Sequence, residues 1–196
     1  MKKIFSFAVC FSAIAFISCN NSSDTSVINT DTSNTVGTDT SNTNATVNTP
    51  PAPLSKDDSN FVQEAAVGGM MEVEAGNLAQ QNANNQRVKD FAAMMVADHS
   101  KANGELQAFA QSRGITIPAA LPADKQKHMD AMKKMTGKAF DRHYMDMMVT
   151  DHKKTVDKFK MAAEKCDDAS LKSWASQTLP TLQKHTDSAQ AIKKGM

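Results

Sequence analysis

The sequence predicts an all-α protein: a four-helix bundle with a short extra helix in the crossover between the second and third long helices. Three observations predict it. From Asp57 onward, apolar residues recur with a period near 3.6 in four long stretches, and none of them shows the alternation of a strand. Turn chemistry gathers at a few points: Gly114, the "ITIPAALP" run at 115–122, and Gly137. Aromatic residues are only 6% of the chain against 13 methionines, and a core poor in rings and rich in Met and Ala is built by packing helix on helix. The net charge of +1, with no basic patch, offers nucleic acid no surface, so nucleic acid is excluded as a partner.

Residues 1–19 read as an export signal, with "MKK" as a charged start and "IFSFAVCFSAIAF" as an apolar stretch too short to be a spanning helix. Its end, "FISCNN", resembles the lipobox of bacterial lipoproteins, with cleavage before Cys19 and a lipid on that residue; a plain secretory signal with an incidental Cys is the alternative. Lipid on Cys19 would anchor the chain to a membrane without a spanning segment. That places the protein in the bacterial cell envelope, periplasmic or at the outer membrane. An acylated Cys19 leaves Cys166 without a partner, so no intrachain disulfide is expected.

Residues 20–56 are dominated by Ser, Thr, Asn and Asp, with "DTSNT" at 31–35 and again at 39–43 and "PPAP" at 50–53. Such a segment buries too little apolar area to offset its ordering entropy and reads as a disordered tether. Residues 57–196 form the bundle domain.

Its first helix is expected at about 57–83, with "DDSN" offering caps and Phe61, Ala65, Gly68, Glu72, Ala75 and Ala79 sharing a stripe. The second, about 85–113, carries Val88, Ala92, Met95, His99, Ala102, Leu106 and Phe109 in a row, and Gly114 stops it. A short helix follows at about 123–135. The third long helix, about 138–165, aligns Met145, Met148, His152, Val156 and Phe159; the fourth, about 168–193, aligns Leu171, Trp174, Leu182, His185 and Ala189. Short joins make each flanking pair an antiparallel hairpin, and the long central connection is the crossover.

Glu72, His99, His152 and His185 each replace an apolar residue in one of these rows, each well inside a different helix. Mid-helix positions of a bundle meet at similar depth, so three imidazoles and a carboxylate converge. Each unsatisfied buried polar group costs roughly 1–3 kcal/mol, against a total stability of about 5–15 kcal/mol. The four must satisfy one another, hold water or bind a cation. One Glu and three His suit a single transition-metal ion, Zn, Cu or Fe, and four protein ligands would close a tetrahedral site. A metal-free hydrogen-bonded cluster that sets helix register is the alternative. Asp98 and Asp151 stand about 100° around the helix from two of the histidines; they are candidate acceptors behind the imidazoles of neighbouring helices, with plain solvated charges as the commoner reading of such residues. His128 and His143 fall off the stripes and read as surface residues.

The runs "FVQEAAVGGMMEVEAGNLA", "VKDFAAMMVADHSKANGEL", "GITIPAAL", "GKAFDRHYMDMMVTDHKKTV" and "TLPTLQKH" together resemble the bacterial family catalogued as domain of unknown function 4142. The resemblance covers about residues 60–190. It implies a ferritin-like fold and an exported envelope protein, often a lipoprotein. It also implies acidic and His positions at Glu72, Glu74, Asp98, His99, Asp151, His152 and His185. Ferritin-like di-iron sites need two Glu-x-x-His motifs. Here Leu182 stands three residues before His185, which counts against di-iron chemistry.

Methionine pairs at 70–71, 94–95 and 147–148, with Met129, Met132 and Met135, form a second constellation. Thioethers suit Cu(I), but Met more often fills gaps between helices. Pro180 should bend the last helix, and Gly68 and Gly69 permit a close helix approach. No nucleophile–base set and no phosphate-binding loop is present, so the expected function is a metal-binding envelope module. The competing expectation is a non-catalytic lipoprotein whose surface meets an envelope protein partner.

Overall fold

The computed structural model describes residues 52–196. The expected signal segment, Cys19 and nearly all of the tether lie outside the described residues. The elements are α1 (Lys56–Asn82), α2 (Gln86–Ser112), α3 (Ala123–Met132), α4 (Gly137–Lys165) and α5 (Ala169–Lys194), with no strand among the described residues.

Local chemistry sets the boundaries. Ser55 caps α1 by accepting from the Asp58 N–H, and Asn85 and Asp168 cap α2 and α5 in the same way. α2 ends on Gly114, whose φ of 65° lets the Ile115 N–H reach back to the Ala110 carbonyl at 2.9 Å. α3 stops at Met132, sooner than its periodicity suggests, and α5 runs unbroken through Pro180.

Two buried aspartates define how the helices run. Asp58, near the start of α1, accepts from the backbone N–H groups of Asp167 (3.3 Å) and Asp168 (2.9 Å) in the α4–α5 turn. Asp141, near the start of α4, accepts from those of Asn84 (2.9 Å) and Asn85 (3.0 Å) in the α1–α2 turn. Each hairpin therefore has its turn clamped by the first helix of the other. α1 and α4 are antiparallel neighbours, α2 packs on α5, and the diagonal helices α2 and α4 run parallel. The crossover must then return along the whole bundle. α3 lies in it, fastened by the fully buried Met129 and Met132.

The apolar core has two parts. One, around Val88, Phe91, Met95, Phe140, Tyr144 and Met145, fills the end near the α1–α2 turn. The other, around Val62, Leu106, Phe159, Leu171 and Leu182, fills the opposite end. Glu72, His99, His152 and His185 lie between them. Along α1 the buried stripe begins one residue later than its periodicity suggests. Val62, Ala66 and Gly69 are buried, whereas Phe61 and Ala65 are half-buried and Gly68 is exposed.

The glycines of α1 set how closely α2 approaches. A Cβ on Gly76 would stand 2.7 Å from Val96 Cγ2 and 3.1 Å from the Ala92 carbonyl oxygen, and one on Gly69 would meet the Asn103 side chain. No described helix is long and apolar enough to cross a membrane.

Candidate functional site

The centre of the bundle is built from one residue on each long helix, all four buried: Glu72 on α1, His99 on α2, His152 on α4 and His185 on α5. The three imidazoles form a nearly equilateral triangle. Ring centroids are 5.6 Å apart for His99–His152, 5.3 Å for His99–His185 and 5.5 Å for His152–His185.

Each ring has one nitrogen held from outside. His99 Nδ1 lies 3.0 Å from Glu72 Oε2. His152 Nδ1 donates to the Met148 carbonyl at 3.0 Å, with Glu72 Oε1 at 3.4 Å. His185 Nε2 donates to Asp98 Oδ2 at 2.9 Å. The other nitrogens, His99 Nε2, His152 Nε2 and His185 Nδ1, are buried without a hydrogen-bond partner. Each ring offers a nitrogen within 4.8 Å of those of the other two. Atoms so spaced lie within about 2.8 Å of a common centre, against about 2.0–2.1 Å for a Zn–N bond, so small ring movements bring all three to one ion.

Glu72, grouped with the histidines on its stripe, has its two oxygens at the Nδ1 atoms of His99 and His152. Asp98 stands behind His185, with its own side chain 42% exposed. Asp151 lines a cavity beside the site and acts on His152 through its charge. Glu74 points elsewhere and pairs with Lys133 at 3.2 Å. That cavity, of about 580 Å³, has Glu72, His99 and His185 on its wall together with Leu106, Phe159 and Trp174.

Burial and charge work against each other here. Burial alone would raise the pKa of Glu72, but the three histidines, and the hydrogen bond from His99 among them, hold it at about 2. Burial lowers His99, yet Glu72 more than offsets this, helped by Asp98, and its pKa is raised. His152 and His185 are lowered, by burial first; Glu72 opposes this at His152, and the Asp98 hydrogen bond opposes it at His185. At neutral pH the centre is thus a Glu72 carboxylate paired with His99, beside two neutral imidazoles. Neutral imidazole is the form that binds metals.

Four buried polar groups have surroundings that the sequence did not show. Asp58 and Asp141 are the buried turn clamps described above. The buried Tyr144 hydroxyl has no hydrogen-bond partner, and its pKa is raised by burial and then by the charge of Glu72. Cys166 is a free, buried thiol, pushed up to about 12 by burial and by Asp58.

Fold and centre define a class: a four-helix bundle with a long crossover and a buried triangle of imidazoles backed by carboxylates. The chain belongs to the family described as "Domain of unknown function (DUF4142)", whose profile matches residues 43–192. Among curated proteins none matches. Solved structures share the bundle, two DUF305 proteins among them. A DUF305 fragment from Deinococcus radiodurans aligns with a TM-score of 0.65 at 10% identity, over 74% of this chain and 100% of that one. A DUF305 protein from Streptomyces coelicolor, described as secreted, aligns with a TM-score of 0.60 at 14% identity, over 69% and 89%. At these identities the likeness is one of fold.

Proposed function

We propose that this is a lipid-anchored envelope protein whose ferritin-like bundle holds one transition-metal ion on His99, His152 and His185. Glu72 and Asp98 act behind the rings as hydrogen-bond acceptors. One observation carries the reading: three imidazoles packed 5.3–5.6 Å apart each bury one nitrogen without a partner, while the opposite nitrogen of every ring is tied to a carboxylate or a carbonyl. Buried polar atoms are nearly always satisfied, and leaving one unsatisfied costs about 1–3 kcal/mol. A cation at their centre would satisfy all three at once. Holding the outer nitrogen of each ring is also how proteins fix the tautomer and orientation of metal-binding imidazoles.

The donor set fits Zn, Cu or Fe in divalent form. Three imidazoles leave a coordination position, and the adjoining cavity supplies room for a water or small ligand there. The parallel diagonal helices and long crossover support the ferritin-like assignment. The N-terminal pattern ending at Cys19 supports export and the lipid anchor, and the secreted Streptomyces neighbour accords with export.

Metal analysis of the purified full chain after reconstitution and dialysis tests the central claim. About one equivalent is expected, with a rise in Tm that grows as RT ln(1 + [L]/Kd) and is absent in His99→Ala/His152→Ala. Less than about a tenth of an equivalent of every metal, with unchanged Tm, would leave a metal-free polar cluster and a structural lipoprotein. Cys19→Ser tests the anchor by moving the protein from the membrane fraction to the soluble fraction.

A further inference from the structure

Outside the central site, the two remaining histidines meet. His128 on α3 and His143 on α4 stand with ring centroids 5.3 Å apart at an interplanar angle of 35°. His128 Nε2 lies 3.3 Å from the Met147 sulfur. His143 and Met147 are four residues apart on α4 and share a face. Both histidines are half-buried, beside a cavity of about 470 Å³ that also has Met71, Asp146 and Asp151 on its wall. Met71, Met147 and Asp151 belong at the same time to the wall of the larger cavity that reaches His99 and His185.

We propose that His128, His143 and Met147 form a second metal site, one for a soft monovalent cation, Cu(I), at the mouth of the path to the central histidines. The donor chemistry sets the ion. Two imidazoles with a thioether are a soft to borderline set without anionic charge, which suits Cu(I) and disfavours hard divalent ions. The spacing agrees. Nitrogen at about 2.0 Å and sulfur at about 2.3 Å from one ion stand about 3.5 Å apart at the tetrahedral angle, close to the distance already present. The donors are pre-positioned as well. α3 is pinned by Met129 and Met132, so His128 is held against α4 by the core beneath it. Asp146 is paired with Lys193 at 2.6 Å and Lys125 shares the cavity wall with Asp124 and Asp151, so the soft donors rather than a net negative field select the ion. Binding here is ligand exchange with no redox step, and it stands whether or not the central histidines hold an ion.

Ag(I), a redox-stable probe of Cu(I) sites, tests this on the full chain labelled with 13C-methyl methionine. The Met147 methyl signal, assigned by its loss in Met147→Leu, should shift with added Ag(I). His128→Gln/His143→Gln should weaken Ag(I) binding at least tenfold with the circular dichroism unchanged. Met147→Leu, which conserves volume, should do the same. His99→Ala/His152→Ala should leave the Met147 shift intact, which separates this site from the central one. A Met147 signal that does not move, or an affinity within twofold of the original in both outer-site variants, would reduce the cluster to an N–H···S contact. Loss of the shift in the folded His99→Ala/His152→Ala variant would assign the ion to the centre instead.

Discussion

Glu72 Oε2 stands 3.0 Å from His99 Nδ1, and the other oxygen of the same carboxylate lies 3.4 Å from His152 Nδ1. One side chain on α1 thereby holds imidazoles on α2 and α4 by their Nδ1 atoms and leaves their Nε2 atoms without a hydrogen-bond partner. Glu72→Gln keeps the size of this group and removes its charge. Metal affinity should fall about 10–100-fold, the usual effect of losing an acceptor behind a ligand. His99 should also titrate at lower pH, because the carboxylate that raises it is gone. Competition against a chromophoric chelator reads the first, and NMR of the metal-free protein reads the second. Unchanged affinity would mean that the rings are oriented by packing alone.

The metal-free protein should be most stable near neutral pH. His152 and His185 have folded pKa values below the ordinary 6.5. Their contribution is present above 6.5 and is lost as pH falls through the depressed values. Glu72 behaves likewise at lower pH, its share being lost between the ordinary 4.5 and about 2. His99 has the opposite sign: its raised pKa contributes stability that is full below 6.5 and fades as pH rises through the folded value. A urea midpoint measured from pH 3 to 9 should therefore pass through a maximum. Its alkaline decline should be smaller in His99→Gln.

The sequence carried the central residues because a polar side chain on an apolar row of period 3.6 is conspicuous, and Glu72, His99, His152 and His185 all stand on such rows. Their division into inner nitrogens and outer acceptors depends on how each ring turns, and helical period says nothing about that. Asp98 acquires its role only because α2 packs on α5, a fact of topology. The first turns of α1 were out of phase for a related reason. Alanines and glycines stand on adjacent faces there, so the row of Phe61, Ala65 and Gly68 reads as well as the buried one of Val62, Ala66 and Gly69. The pairing of His128 with His143 was hidden because His128 lies on the crossover helix α3 and His143 on the long helix α4. The local signal was the four-residue spacing of His143 and Met147.

Two glycines on α1, Gly68 and Gly76, should respond to alanine with opposite signs. Gly68 has open space where a Cβ would go, so Gly68→Ala should stabilise by up to about 1 kcal/mol through helix propensity. At Gly76 the new methyl would meet Val96 Cγ2 at 2.7 Å and the Ala92 carbonyl at 3.1 Å. Forcing α1 and α2 apart costs about 1–3 kcal/mol, which outweighs the same propensity gain. Urea unfolding of the two variants side by side tests the pair.

The turn clamps reveal an internal symmetry that yields the last prediction. Asp58 and Asp141 are 83 positions apart, and so are the turns they hold, with Asn84 matching Asp167 and Asn85 matching Asp168. The two hairpins are therefore related by a pseudo-two-fold, with α1 answering to α4 and α2 to α5. The near-identical "MMVADH" at 94–99 and "MMVTDH" at 147–152 do not follow this relation. They lie on α2 and α4, parallel diagonal helices that bring like residues to the same depth. Under the symmetry His152 answers to Gly69 and His185 to Ala102, so the central site is asymmetric while the clamps are not. Asp58→Ala and Asp141→Ala each leave two turn N–H groups without their charged acceptor. Each should cost about 2–4 kcal/mol by the scale of hydrogen bonds to charged groups. The two losses should be close to each other and nearly additive, since the clamps sit at opposite ends of the bundle. If one variant is near neutral while the other is not, only one of the two turns is held by its aspartate.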